Sequence, residues 1–452
     1  MKKLICLFSF LLINSAVSMS LAQISVENET YKLDNGLNVI LHVDKSTPIV
    51  AVNLWYHTGS KNEKPGRTGF AHLFEHMLFQ GSANVGDDAH FKLIQGVGGS
   101  ANGSTNPDRT NYWENAPSNY LEMLLWLEAD RMGWLLPAMD DVKLDNQRKV
   151  VKNERRQSYE NRPYGLAWET LHSNLYPPDH PYHWMTIGSM EDLSAASLED
   201  VKGFFNSYYG PNNASLAIAG DFDPAQAKMW ISKYFGEIPS GPPVVQPNPP
   251  IPTLSEEVRI SMEDKVQLPR LYMFWHTVPL YGEDDAELDI LSDVLSGGKN
   301  SRLFRSLIYD NPIAQDANAF QISREIAGSY MIQVTAKPDI GLSEIEAAIW
   351  QEIEKVQNET PSQREIQRAI NGLEANFVFG VQRVGSFGGK TDKLNGYYFR
   401  TGNPDGFQAD LERYLKVTPE DVQRVAKKYL GRNNAVILSV VPEGKLELQA
   451  SK

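Results

Sequence analysis

Cysteine is almost missing from this sequence: of 452 residues the single one is Cys6. A chain that loses its first residues on export would therefore carry no disulfide and no thiolate metal site, so any metal must be held by His and carboxylate. Basic residues are outnumbered, 43 Lys and Arg against 56 Asp and Glu, and the formal charge is −13. With no Lys/Arg stripe and no interleaved aromatics against that background, nucleic acid is excluded as a natural partner. Long apolar runs are also scarce. The only one, Leu4–Ile13, follows two lysines and ends in small residues through Ala22. That pattern reads as a cleavable export signal over 1–22, too short for a permanent anchor, and leads to the expectation of a bacterial periplasmic protein with no membrane span in the mature chain. No Gly-x-Ser-x-Gly elbow is present, so nothing singles out a nucleophilic serine.

What the sequence does have is a repeat. Glu199-Asp200-Val201, Tyr208, Gly210 and Asn212-Asn213-Ala214 recur as Glu420-Asp421-Val422, Tyr429, Gly431 and Asn433-Asn434-Ala435, a constant offset of 221 residues. In both copies a helix capped at Ser197 or Thr418 ends at a Gly turn and enters a strand. Between the copies, Pro239–Pro252 reads PSGPPVVQPNPPIP, which sustains neither helix nor central strand and behaves as a stiff spacer. The expected organisation is an N-terminal domain over 23–238, a proline-rich linker over 239–254 and a homologous C-terminal domain over 255–452. Each half is expected to be α+β, an antiparallel-rich sheet with helices packed on one face. Strands are expected at Leu37–His42 and Ile49–Tyr56, and helices at Asn119–Trp134, Asp141–Glu160 and Asp284–Ser296.

The segment GFAHLFEHMLFQGS carries chemistry. Phe70, Leu73, Phe74, Met77 and Leu78 follow a helical period, which sets His72 and His76 four apart on one face with Glu75 beside them. A lone histidine on such a helix is usually structural. Two at ligand spacing flanking a glutamate point instead to a single zinc ion held by imidazole, with Glu75 as the base for a water at the open position. A third ligand must come from elsewhere. On the helix beginning at Asp141, the residues Leu144, Gln147, Val150, Val151 and Glu154 share a face, while Arg148, Lys149, Arg155 and Arg156 point mostly elsewhere. A carboxylate on an apolar face needs a partner, which is either a metal or a neighbouring Arg. On position alone Glu114, Glu122 and Glu128 are rivals to Glu154.

The inverted order His-x-x-Glu-His resembles the insulinase/pitrilysin family of zinc peptidases, which includes the mitochondrial processing peptidase. The resemblance extends to GGSANGSTNPDRTNYW, VVKNERR, YYGPNNASLAIAGDFD and GGKNSRLFRSL, in order and over nearly the whole chain after the signal. It implies that the third ligand is Glu154, 78 residues beyond His76, and that a supporting carboxylate two turns earlier is replaced by Gln147. It implies that Gly99–Tyr112 forms a substrate-edge strand on which an extended peptide adds, with Asn102 as a substrate contact. The second half, having only Leu291, Ser292, Asp293, Val294 and Leu295 where the motif helix would fall, binds no zinc and forms the closing wall of a clamshell chamber for unfolded peptides. The family's four-domain members imply that this two-domain chain works as a homodimer or beside a related subunit. In some two-domain relatives a partner subunit supplies an Arg and a Tyr to the transition state, and the resemblance offers Arg324 and Tyr330 as their equivalents here. A non-catalytic scaffold and a peptide-binding protein are the alternatives, although His72, Glu75, His76 and Glu154 are all present.

Overall fold

The structure is a computed structural model and describes residues 24–451, so the export signal expected over 1–22 lies outside the described residues. Two sheets organise the chain. The first contains β1 (Glu29–Lys32), β2 (Asn38–Val43), β3 (Ile49–Tyr56), β4 (Ser100–Thr105), β5 (Thr110–Pro117) and β6 (Ala214–Gly220), in the order β1-β2-β6-β3-β5-β4. The second contains β7 (Val258–Asp264), β8 (Arg270–Thr277), β9 (Ala314–Ile322), β10 (Gly328–Ala336) and β11 (Val436–Pro442), in the order β7-β11-β8-β10-β9. Each has one parallel pair, β2 with β6 and β7 with β11, and is otherwise antiparallel. β3 and β8 begin and end 221 residues apart, the offset of the sequence repeat.

Alternation along the strands divides each sheet into two faces. Val50, Val52, Leu54 and Tyr56 of β3 enter a core with the helices Leu121–Trp134 and Leu198–Tyr208. In the second half Leu271, Met273 and Trp275 of β8 enter the equivalent core with the helices Asp285–Ser296 and Leu342–Asn358. The repeated helices start at reciprocal capping boxes, Ser197 with Asp200 and Thr418 with Asp421.

The expectation of helices on one face only needs enlarging, because each sheet's other face takes a helix from the opposite half. Ala167–Leu175 lies on β8 and β11, burying Leu171 and Leu175 against Phe274, Met331 and Leu438. Reciprocally, Lys390–Thr401 lies on β3 and β6. There the sheet offers small and polar residues: Asn395 donates to Asn53 O and Oδ1 at 2.8 and 2.9 Å and accepts from Ser215 at 2.8 Å. A further bridge joins the halves where Lys61, its side chain fully buried, meets Glu325 at 2.5 Å. Residues 239–254 form neither helix nor strand and lie along the first half, with Gln246 donating to His57 O at 2.8 Å.

Candidate metal centre

The motif segment forms the helix Phe70–Met77, and its apolar residues Phe70, Leu73, Phe74 and Met77 are buried. Its start is built by two features. Gly69 sits in the left-handed region at φ 88°, where an added Cβ would stand 2.9 Å from the Ile187 carbonyl oxygen. The buried Glu63 carboxylate accepts from the Gly69 and Ala71 N–H groups at 3.0 and 2.8 Å, serving as a remote N-cap. Burial pushes the Glu63 carboxyl up to about 8 in spite of those bonds.

Glu154 comes from the helix Asp141–Arg155, which continues as one π-helical turn over Arg156–Glu160 where a continuous α-helix is expected from the sequence. The inward face differs from the sequence reading at two positions, Val150 and Arg155. Leu144, Gln147, Val151 and Arg155 are buried, whereas Val150 is 44% exposed. Arg155 turns inward because it has partners there, the Gly188 carbonyl and the Glu169 carboxylate, each at 2.8 Å. Glu154 at the margin of this face forms no ion pair with an arginine among the described residues; its partners are the histidines.

The structure brings His72, His76 and Glu154 together, with His72 Nε2 3.7 Å and His76 Nε2 3.3 Å from the two Glu154 oxygens. The three ligand atoms lie within 4.8 Å of one another. Those separations are long for charge-assisted hydrogen bonds and close to the roughly 3.3–3.6 Å between two ligand atoms that share one metal at about 2.0–2.2 Å. The donor set, two imidazoles and a carboxylate, fits zinc. Burial, then the neighbouring His76, lowers His72 to about 4, which leaves a neutral imidazole. His76 holds the Glu154 carboxyl below its ordinary value. Gln147 is buried two turns earlier on the same helix.

Glu75 faces β4. It accepts a hydrogen bond from Thr105 Oγ1 at 2.7 Å, and burial raises its pKa. Gly103 makes the close approach possible, since a Cβ there would stand 3.2 Å from Glu75 Cγ. β4 pairs only with β5 among the described residues, so its other edge is open. Asn102 is exposed on that strand and accepts from the Gly103 N–H at 2.8 Å. Thr105, Gly103 and the capping Glu63 carry no signal in the sequence, because strand pairing and a remote cap bring them to the motif helix.

Of the rival carboxylates, Glu122 is at the surface with Lys233 and Tyr234. Glu114 and Glu128 are fully buried beside His90, and these three have ligand spacing of their own. Arg131 occupies that cluster and pairs with both carboxylates. Tyr330 is buried in the second core, and Arg324 lies over Tyr182, 5.2 Å from the ring centre. Neither lines the cavity beside the triad of its own chain.

Sequence comparison agrees with this architecture. The model of the insulinase family, peptidase family M16, matches residues 38–181, and that of the peptidase M16 inactive domain matches 195–373. The chain belongs to the insulinase (M16) peptidase family. It is 26% identical to zinc protease PqqE of Helicobacter pylori over 98% of this chain and 99% of that one. It is 22% identical to the mitochondrial-processing peptidase subunit beta of Saccharomyces cerevisiae over 69% of this chain and 67% of that one. Among solved structures, a protease from Helicobacter pylori superposes with a TM-score of 0.86 at 26% identity, over 93% of this chain and all of that one. The periplasmic protease PqqL of Escherichia coli shares the fold at 17% identity and a TM-score of 0.71, over 93% of this chain and 48% of that longer one. No helix among the described residues is long and apolar enough to cross a membrane.

Proposed function

We propose that this protein is a zinc-dependent endopeptidase that hydrolyses unfolded peptides, with His72, His76 and Glu154 holding a single zinc ion and Glu75 as general base. The observation that carries the reading is the convergence of two imidazoles and one carboxylate within 4.8 Å of one another, with no arginine or lysine among the described residues pairing with Glu154. Zinc in that position supplies a Lewis acid that polarises a carbonyl and lowers the pKa of a water to about 7. Glu75, held by Thr105, takes the proton of the attacking water at its carboxylate and returns it to the leaving amine. The open edge of β4 binds the peptide as an added strand through main-chain hydrogen bonds, with Asn102 at its rim.

The same reading divides the chain into a zinc-binding domain over 23–238, a linker over 239–254 and a C-terminal domain over 255–452 that closes the chamber. Segment 1–22 directs export to a periplasm, and a second copy or a related family subunit completes the chamber. The alternative is a scaffold or peptide-binding subunit of the same fold, and one experiment separates them. The purified protein is loaded with zinc and mixed with unstructured peptides, alongside Glu75→Gln at equal zinc content. Cleavage by the wild type, its loss on chelation and its fall by a factor of about 10²–10⁴ in the variant are the expected results. Equal peptide turnover by the two proteins would overturn the reading.

A further inference from the structure

Beside the triad, and sharing Glu154 with it, is a cavity of roughly 540 Å³ between the two halves. Tyr159, Arg162 and Trp168 wall it on the first half, Arg270 and Gln333 on the second. Its charge is unusual for so acidic a chain. Arg270 begins β8, lies 3.7 Å from the centre of the Tyr164 ring, and donates Nε to Thr335 Oγ1 at 2.8 Å. Its Nη1 has only a long contact of 3.4 Å with the Tyr272 hydroxyl. Among the described residues it forms no ion pair. Asp264 of β7 and Asp316 of β9, each two strands from β8, form no ion pair with it: Asp264 accepts from the Tyr164 N–H at 2.7 Å and Asp316 from Asn318 at 3.4 Å. Arg162 is exposed at the rim and likewise has no acidic partner among the described residues. Two guanidinium groups therefore face one cavity, and the only carboxylate lining it is the proposed metal ligand.

We infer that this cavity is a specificity site for a carboxylate of the peptide, either an Asp or Glu side chain or a free C-terminus close to the scissile bond, with Arg270 as its principal partner and Arg162 at its mouth. The stacking on Tyr164 and the bond to Thr335 fix the guanidinium plane, so little side-chain freedom is lost when it takes a carboxylate. Trp168 and Tyr159 supply flat apolar walls for the chain on either side. The inference rests on the peptidase reading for the nature of the ligand, but its test is binding and stands apart from turnover.

The test uses the zinc-loaded full-length Glu75→Gln protein and a set of labelled unstructured peptides. Each is made in a Glu and a Gln form with a free or amidated C-terminus, and binding is read by fluorescence anisotropy. Removing the recognised carboxylate is expected to weaken binding about tenfold or more. Loss confined to the Glu/Gln pairs identifies a side chain as the source, and loss confined to the acid/amide pairs identifies the terminus. Adding Arg270→Gln is expected to erase the difference, Arg270→Lys to keep part of it, and Arg162→Gln to reduce it. The last change is at an exposed residue and carries the test should Arg270→Gln fail to fold. Equal affinity for all peptide forms, or a preference that survives both arginine substitutions, would overturn the inference. Preferential binding by a wild type that cleaves nothing would instead contradict the catalytic reading alone.

Discussion

The proposed chemistry rests on four side chains, and three of them are written together. An i, i+4 pair of histidines around a glutamate is legible because helical geometry alone makes them converge. Glu154 is legible only with help. Its helix face narrows the choice, but Glu114, Glu122 and Glu128 look alike in sequence, and only the fold shows that two of these surround Arg131 and the third faces water. Thr105 and Arg270 were not readable, because each reaches the site from a strand whose register a single sequence does not reveal. At this scale the sharpest expectation concerns His76→Ala. Loss of one of three ligands should lower zinc content well below one ion per chain, read by elemental analysis, while Glu75→Gln keeps the metal. Thr105→Val should leave zinc in place and reduce turnover, because Glu75 loses the hydroxyl that orients it.

The helix carrying the histidines depends on a cap outside itself. Glu63→Ala leaves the Gly69 and Ala71 N–H groups buried without acceptors, and a loss of about 1–3 kcal/mol is expected in denaturant unfolding. The bridge between Lys61 and Glu325 predicts a pH effect. Against the upward pull of burial, His57 and Lys61 bring the Glu325 carboxyl down to about 2. Its folded pKa is thus below its unfolded value near 4.5, so the stability it contributes is present above that value and is lost as pH falls toward 2. Glu325→Gln should remove this part of the acid sensitivity and, by leaving the buried Lys61 with only the longer contact to Asp108 at 3.8 Å, destabilise the protein at neutral pH by less than the ~3 kcal/mol of a wholly unpaired buried charge. Acid titrations of unfolding for the two proteins would check both.

The duplication was the most legible feature of the whole molecule, since a 221-residue offset at Gly210 and Gly431 returns as the offset between β3 and β8. The exchange of helices was not legible. Asn53 and Ser215 look misplaced in strands otherwise read as buried, and only the presence of Asn395 across the halves explains them. That exchange makes each half incomplete without the other. Cutting the linker within 239–254 should leave the two pieces associated on gel filtration, with one unfolding transition in calorimetry. Each half expressed alone should expose the face its partner helix covers and aggregate.

In the proposed centre one metal ion joins the motif helix to the helix of Glu154. Diffraction from zinc-loaded crystals on the two sides of the zinc absorption edge tests it most directly. An anomalous peak is expected bounded by His72 Nε2, His76 Nε2 and a Glu154 oxygen, with no peak at His90, Glu114 and Glu128. A peak at the second cluster alone, or no peak between the histidines, would contradict it.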